Sequence, residues 1–490
     1  MGKSNDQSSR HLEVERKFDV VDSTVTPSFD GLSSVVRVER GPAHRLEAVY
    51  FDTPDHGLAA RRITLRRRTG GADAGWHLKL PAGPDARTEV REPLGEADEV
   101  PATLRDVVLA IVRDRPLGPV ARISTRRTVD LLFGPDGTPV AEFCDDEVTA
   151  AAEPGGHEQA WREWELELAG GADRELLDRL SNRLIDAGAT PAASGSKLAR
   201  VLAESSQAEA VRSPADPVHR AVAEQVEELI EWDRAVRADV FDSVHQMRVT
   251  TRKIRSLLQS ARDSFGISDD AWILDELRQL AGILGVARDA EVLAERYEQA
   301  LDELPEELVR GPVRERLVDG AKRRYAAGLR RSLIAMRSQR YFRLLDALEG
   351  LVAAEPALQD EQEHGQATID AAYKRVRKAA KAAAAADTEK DEALHRIRKG
   401  AKRLRYTAAA TGAAKVSDRA KSVQSLLGDH QDSVVSRTHL SQQAEVAHAA
   451  GEDTFTYGVL YQQEEGVAQR AREQLDGALK KLAKAVRKAR

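Results

Sequence analysis

The sequence predicts an α+β protein in two parts: an N-terminal eight-stranded antiparallel β-tunnel with flanking helices, then an all-α duplicated helical-bundle domain. Three observations predict it. Between His11 and about Gly170, short segments alternate apolar and charged residues with a period of two, as half-buried strands do. From about Val218 to Arg490 that alternation stops, and the readable text is helical and rich in Ala, Arg, Glu and Leu. Within this second region the text repeats itself, which points to two related helical halves.

The eight strand candidates are 11–20, 46–52, 62–68, 76–80, 87–92, 122–132, 140–144 and 161–168. Eight strands suffice to close an antiparallel barrel. Pro135-Asp136-Gly137 is a hairpin turn signal. Helical spacing appears at 104–114 and again at 174–188, where an amphipathic run ends at Gly188. Residues 197–204 close the region, so the tunnel domain is placed at 11–204 behind a disordered 1–10. Residues 205–217 read as a linker, and 218–490 as the helical domain.

Composition narrows the function classes. Of 490 residues, 31% are charged and 4% aromatic, which suits helices with wide solvated faces. The formal net charge is -6, so the chain as a whole is no nucleic-acid coat and its basic stretches are local features. Cys144 is the only cysteine, which excludes an intrachain disulfide and fits a reducing compartment. The polar start MGKSNDQSSR and the lack of a run of ~18 apolar residues predict a cytoplasmic chain with no membrane partner.

Within the strands the charges sort by sign. Glu13, Glu15 and Lys17 share one face of 11–20, opposite Leu12, Val14, Arg16 and Phe18. Glu163, Glu165 and Glu167 share a face opposite Trp164, Leu166 and Leu168. Arg66 and Arg68 share a parity, Lys79 alternates with Leu78 and Leu80, and Arg87, Glu89 and Arg91 share a face, as do Arg122 and Arg126. An ordinary half-exposed sheet would put these charges in solvent. Three glutamates at i, i+2 and i+4 repel one another, however, unless something positive binds them. Hard divalent cations take carboxylate oxygens, and Mg²⁺ commonly sits between carboxylates and substrate phosphates. Arg and Lys on the other walls would hold the remaining phosphate oxygens. That pattern describes a phosphate-chain site with metal-activated water.

The helical half has its own signature. In 395–406, His395, Arg398, Lys399, Lys402, Arg403 and Arg405 fall within one helical arc, with Ile397, Ala401, Leu404 and Ala408 opposite. His245, Arg248, Arg252, Lys253 and Arg255 stand at offsets matching His395, Arg398, Lys402, Arg403 and Arg405, backed by Met247, Ile254 and Leu258. Leu284, Gly285 and Asp289 are answered by Leu427, Gly428 and Asp432. Like charges three and four apart on a helix cost a few tenths of a kcal/mol per pair. A polyanion between two such helices would remove that cost, and guanidinium suits phosphate oxygens. A solvated basic face is the bland alternative. For the two histidines, a capping or core role competes evenly with ligand contact. Asp289 and Asp432 read as ties between helices.

These motifs carry two resemblances. Glu13-Val14-Glu15-Arg16-Lys17 matches the ExExK signature of the CYTH family, the triphosphate tunnel metalloenzymes. LRRR at 65–68, WHLKLP at 76–81, EWELE at 163–167 and SKLAR at 196–200 resemble that family's other blocks, in order. The helical half is similar to the CHAD domain, through 244–256, 284–289, 395–406 and 427–432. The resemblance implies a closed tunnel acting on triphosphate groups, followed by a duplicated bundle associated with inorganic polyphosphate. It implies Mg²⁺ or Mn²⁺ as cofactor. It also implies that Glu13, Glu15, Asp146, Glu163, Glu165 and Glu167 hold metal, with Glu13, Glu15 and Lys17 catalytic and Lys17 a phosphate contact as well. Arg66, Arg68, Lys79, Arg126 and Lys197 would contact tunnel phosphates. Asp146 is preferred to Asp145 by parity with Glu142. The family's Lys-x-Arg on the sixth strand stands here as Ser124 and Arg126, a departure that removes one phosphate contact.

The expected function is metal-dependent hydrolysis of inorganic triphosphate in the tunnel, with polyphosphate held by the basic helices and association with polyphosphate granules. The competing reading is a weakly catalytic or non-catalytic polyphosphate-binding protein. Nucleic acid is disfavoured, because no aromatic stacking residues interleave with the cations. No residues read as an adenine pocket for cyclase chemistry, and the sequence sets no oligomeric state.

Overall fold

The computed structural model describes residues 9–29, 31–32, 34–95, 99–203, 216–262, 264–268, 271–354, 364–385 and 390–489. The chain divides into two compact units, Met1–Val211 and Arg212–Arg490. Most of the N-terminal segment and linker expected at 1–10 and 205–217 lies outside the described residues. At their edges the structure differs from the expectation. Ser9 and Arg10 already belong to the first strand, and Asp216 caps a helix by accepting a bond from His219 N at 2.7 Å, with Pro217 at its first position.

In the first unit the strands are β1 (Ser9–Val20), β2 (Arg37–Arg40), β3 (His44–Asp52), β4 (Thr64–Thr69), β5 (Gly75–Pro81), β6 (Ala86–Glu92), β7 (Gly118–Phe133), β8 (Pro139–Ala152), β9 (Gln159–Leu168) and β10 (Thr190–Pro191). Eight of them run β1-β6-β5-β4-β3-β7-β8-β9, every pair antiparallel, and β9 returns to β1. The barrel is therefore closed, and seven of the eight contain an expected segment, while β4 begins at Thr64, two residues into the expected 62–68. The short β2 and β10 are additions that pair with β7 and β1.

The barrel turns its apolar parity outward. Trp164, Leu166 and Leu168 of β9 pack with Phe18 of β1 and Phe143 of β8 against Leu176, Leu177, Leu180 and Leu184 of helix α3 (Arg174–Asp186). Two shorter helices, α1 (Ala102–Val107) and α2 (Leu109–Val112), precede it where the spacing predicts one at 104–114. Burying each large apolar side chain is worth about 1.5–3 kcal/mol. With that parity committed to α3, the period of two leaves the glutamates of β9 no place but the interior. A wet, charged lumen is thus the consequence of an apolar exterior. Helix α4 (Lys197–Ala203) closes one end: Leu198, Val201 and Leu202 pack onto Ala48, Tyr50, Ile123, Val148 and Ala150.

The second unit is helical throughout its described residues: α5 (Pro217–Arg237), α6 (Ser243–Ser260), α7 (Trp272–Asp302), α8 (Gly320–Ala335), α9 (Gln339–Ala353), α10 (His364–Ala384), α11 (Lys390–Ala410), α12 (Ala414–Ala449) and α13 (Phe455–Lys488). Helices α5 to α8 pack in chain order, as do α10 to α13, so the textual repeat is a structural one. The apolar backs behave as their spacing requires. Met247, Ile254 and Leu258 of α6 are fully buried, and Ile397, Ala401, Leu404 and Ala408 of α11 enter a core with α10, α12 and α13.

Candidate active site and anion-binding face

The lumen is a cavity of about 600 Å³ lined by Glu13, Glu15 and Lys17 of β1, Arg66 and Arg68 of β4, Lys79 of β5, Glu89 of β6, Arg127 of β7, Glu165 and Glu167 of β9, and Lys197 of α4. The pairing register explains the gathering. Glu15 stands opposite Glu167, and Lys17 opposite Glu165, while Cys144 and Asp146 of β8 stand opposite Glu165 and Glu163. Strand alternation then puts these side chains in successive rows on one inner wall.

On that wall Asp146, Glu163 and Glu165, all buried, offer oxygens within 4.8 Å of one another. Asp145, the alternative to Asp146, faces outward and pairs with Arg162 at 2.7 Å. Lys197 Nζ lies 2.9 Å from Asp146, 2.7 Å from Glu163 and 2.7 Å from Glu165. Burial alone would lower its pKa, but the three carboxylates hold it well above the ordinary lysine range. Arg127 pairs with Asp146 at 2.6 Å and also with Glu165. Burial raises the Glu165 carboxyl, yet Lys17, Lys197 and Arg127 together bring it well below the usual range. All-carboxylate donors of this kind suit a hard divalent cation, so the residues fit the group that CYTH domains require.

A second carboxylate group lies beside it. Glu13 pairs with Lys79 and lies 3.6 Å from Arg91, and Glu15 lies 3.4 Å from Lys17 and 3.7 Å from Arg87. Burial pushes Glu15 up, but Lys17 and Lys79 outweigh it and bring its pKa to about 2. Glu167 goes the other way: burial and the neighbouring Glu13 push it to about 7. Across the lumen, Arg66 donates to the Tyr50 hydroxyl at 3.3 Å. Arg68 is 5% exposed and pairs with Asp73. Burial and the nearby Arg66 lower its pKa to about 9.

One expected lumen residue is misplaced. Arg126 is exposed, its side chain 66% accessible, and pairs with Glu147 on the outer face at 3.1 Å. The inward pair on β7 is Thr125 and Arg127. A strand slip of one residue exchanges the faces, so the expected Ser124 and Arg126 pair belongs to the outer surface. Arg127 thus escaped the sequence reading, as did Tyr50 and His77, while Glu89 was placed on its charged face without a role. His77 links Glu89 to the Asp73 carbonyl at 2.9 Å on each side. The signal for Arg127 was its buried acid partner on β8, which only the register reveals.

In the helical unit, α6 and α11 adjoin. Burial lowers the Arg252 pKa, and Arg248 on its own helix and Arg398 on α11 lower it further. Partial desolvation lowers the Arg403 pKa, with Arg375 and then Arg255 adding to it. The two basic faces therefore feel each other's charge. Their partners are mostly neutral: Arg248 and Arg255 donate to the carbonyls of Ala281 and Leu274 at 3.2 Å, and Arg405 to Gln424 at 3.3 Å. Lys253 lies 3.7 Å from Glu228, and Lys402 lies over the Tyr406 ring. Lys399 is exposed. Burial lowers His245, with Arg288 adding to it, and lowers His395, with Lys399 adding to it, which favours neutral imidazoles beside the cations. The repeated glycines have a physical role. A Cβ on Gly285 would lie 3.3 Å from the Arg248 guanidinium, and one on Gly428 3.5 Å from that of Arg398. Each half thus seats its first basic-face arginine flat on a glycine of the next helix. Asp289, 3.9 Å from Arg248, is a long-range tie at most.

The CYTH domain model matches residues 11–200 and the CHAD domain model residues 220–441. The uncharacterized protein Rv2226 of Mycobacterium tuberculosis (strain ATCC 25618 / H37Rv) is 66% identical, with 98% of each chain covered, as is the uncharacterized protein MT2285 of strain CDC 1551 / Oshkosh. This chain belongs to the CYTH–CHAD family. Among solved structures, PptA from Streptomyces chartreusis is 20% identical with a TM-score of 0.47, covering 55% of this chain and 100% of its own. The CHAD domain from the plant Ricinus communis is 22% identical with a TM-score of 0.44, covering 56% of this chain and 94% of its own. Likeness at that level says nothing of what a CYTH–CHAD chain does. No helix among the described residues is long and apolar enough to cross a membrane.

Proposed function

We propose that the tunnel hydrolyses inorganic triphosphate with Mg²⁺ or Mn²⁺, and that the facing basic helices α6 and α11 bind polyphosphate. The observation that supports this most is the segregation of charge inside one barrel. Glu165 of the carboxylate triad on β8 and β9 lines the same cavity as Arg66, Arg68 and Lys79 of β4 and β5, and the wall between carries both signs. Asp146, Glu163 and Glu165 would hold the divalent ion, with Glu13, Glu15 and Glu167 beside them. That ion supplies Lewis-acid neutralisation of phosphate charge and acidifies water. Arg66, Arg68, Lys79 and Arg127 grip the phosphate oxygens. Lys17, between Glu15 and Glu165, is placed to neutralise charge that develops on the leaving phosphate. Because α4 closes one end, a phosphate chain enters from the other, which favours short chains and chain ends over the middle of a long polymer. The test is orthophosphate release from tripolyphosphate, ATP and thiamine triphosphate, each with Mg²⁺ and with EDTA. Tripolyphosphate should be the best substrate and EDTA should stop the reaction. Release from none of the three leaves a polyphosphate-binding protein.

A further inference from the structure

The place where three carboxylates converge is already filled by a side chain. Lys197 Nζ lies within 2.9 Å of all three, and it is the cation that touches each of Asp146, Glu163 and Glu165. Arg127 adds a second positive charge on Asp146 and Glu165, and Lys17 a third on Glu165. Glu15 shares Lys17 and also faces Arg87, so four acids are met by four bases and this part of the lumen is close to neutral. Asp146 is fully buried, and Glu163, Glu165 and Lys197 are nearly so.

Neutrality has a consequence for the order of events. A divalent ion placed among these carboxylates, with every base still present, would leave an excess of positive charge in a buried site. Such uncompensated charge is among the costliest things a protein can hold. A phosphate chain changes the balance, because it brings the negative charge that the displaced bases need. We infer that Lys197 is an internal counter-ion seated where the three carboxylates converge, so that the divalent ion enters together with the phosphate chain and Lys197 passes from the carboxylates to phosphate as it does. The backbone need not move. Leu198, Val201 and Leu202 fix α4 in the apolar end of the barrel, while the lysine stem has the rotatable bonds to swing. An arginine or a lysine elsewhere on the wall could neutralise the acids without blocking their common centre. Lys197 sits at that centre, which makes it a positioning residue for metal and not only a phosphate contact.

The inference rests on the reading of the tunnel as a metal–phosphate site, but its test needs no turnover. Mn²⁺ is titrated into the phosphate-free full chain, with free Mn²⁺ followed by electron paramagnetic resonance. Lys197→Met keeps the stem and removes the charge, and Lys197→Gln serves if the methionine variant does not fold. The neutral variant should bind Mn²⁺ at least about tenfold more tightly than the unmodified chain. Lys197→Arg should not show the gain, and Lys197→Met combined with Glu163→Gln should lose it. Equal affinities in the unmodified and neutral chains, no Mn²⁺ binding in either, or a gain that survives Glu163→Gln would each overturn the inference. A chain that shows the expected Mn²⁺ pattern yet hydrolyses nothing would sink the catalytic proposal and leave this one standing.

Discussion

Arg126 and Arg127 are neighbours in sequence and opposites in the fold. Arg127 faces the lumen, while Arg126 sits on the outer face with Glu147. Charged hydrogen bonds are worth about 1.5–3 kcal/mol, so Arg127→Gln should lower kcat/KM for tripolyphosphate by about tenfold to a hundredfold. Arg126→Gln should stay within about twofold, since exposed pairs contribute little. The reverse order in a steady-state assay would return Arg126 to the site. Glu167 supports a pH prediction. Its pKa is raised to about 7 by burial, with Glu13 and Glu15 adding and Lys79 opposing. A raised acid binds its proton more readily folded than unfolded. The stability it brings is present below its ordinary 4.5 and is lost as pH rises through about 7. Thermal melts of the metal-free chain should therefore fall between about pH 5 and 8, and less steeply in Glu167→Gln. Parallel profiles would show that Glu167 keeps an ordinary pKa.

At the scale of elements, alternation and helical spacing made most of the chain legible. Where one parity was plainly apolar, as in Trp164, Leu166 and Leu168, the inward face followed at once, because the helix packed outside needs those residues. On β7 neither parity is apolar over 124–128, so nothing local fixes the face, and the family pattern laid on Ser124 and Arg126 falls one residue out of register. β2 and β10 are too short to leave a pattern, and α1 and α2 share a text that reads as one helix. For α6 and α11, spacing gave the basic fronts, and packing shows that the fronts adjoin. Each cation near a phosphate in a partly screened groove contributes on the order of 1 kcal/mol. Reversing Arg252 and Lys253 to Glu, or Lys402 and Arg403 to Glu, should therefore weaken long-chain polyphosphate binding by more than about tenfold. Affinity should also fall steeply with salt. Reversal of one helix without loss, measured by calorimetry, would mean the two faces do not share a ligand.

For the molecule as a whole, the sequence showed two differently patterned regions, and the fold has a closed charged barrel in one unit and a duplicated helical bundle in the other. What it could not show is how far the lumen neutralises itself. That Lys197 meets three carboxylates depends on where α4 ends up in space, and no spacing in the text encodes it. We propose that this lumen, rather than the basic helices, performs metal-dependent chemistry on a phosphate chain. That is tested most directly by orthophosphate release from tripolyphosphate with Mg²⁺, comparing the full chain with Glu13→Gln. Glu13 is 2% exposed, and its amide is nearly the same size, so circular dichroism should show the barrel intact. Weakening a metal site costs several kcal/mol of transition-state stabilisation, so the variant should lose at least about a hundredfold in rate. Equal rates in the two proteins, or no release by the unmodified chain, would contradict the account.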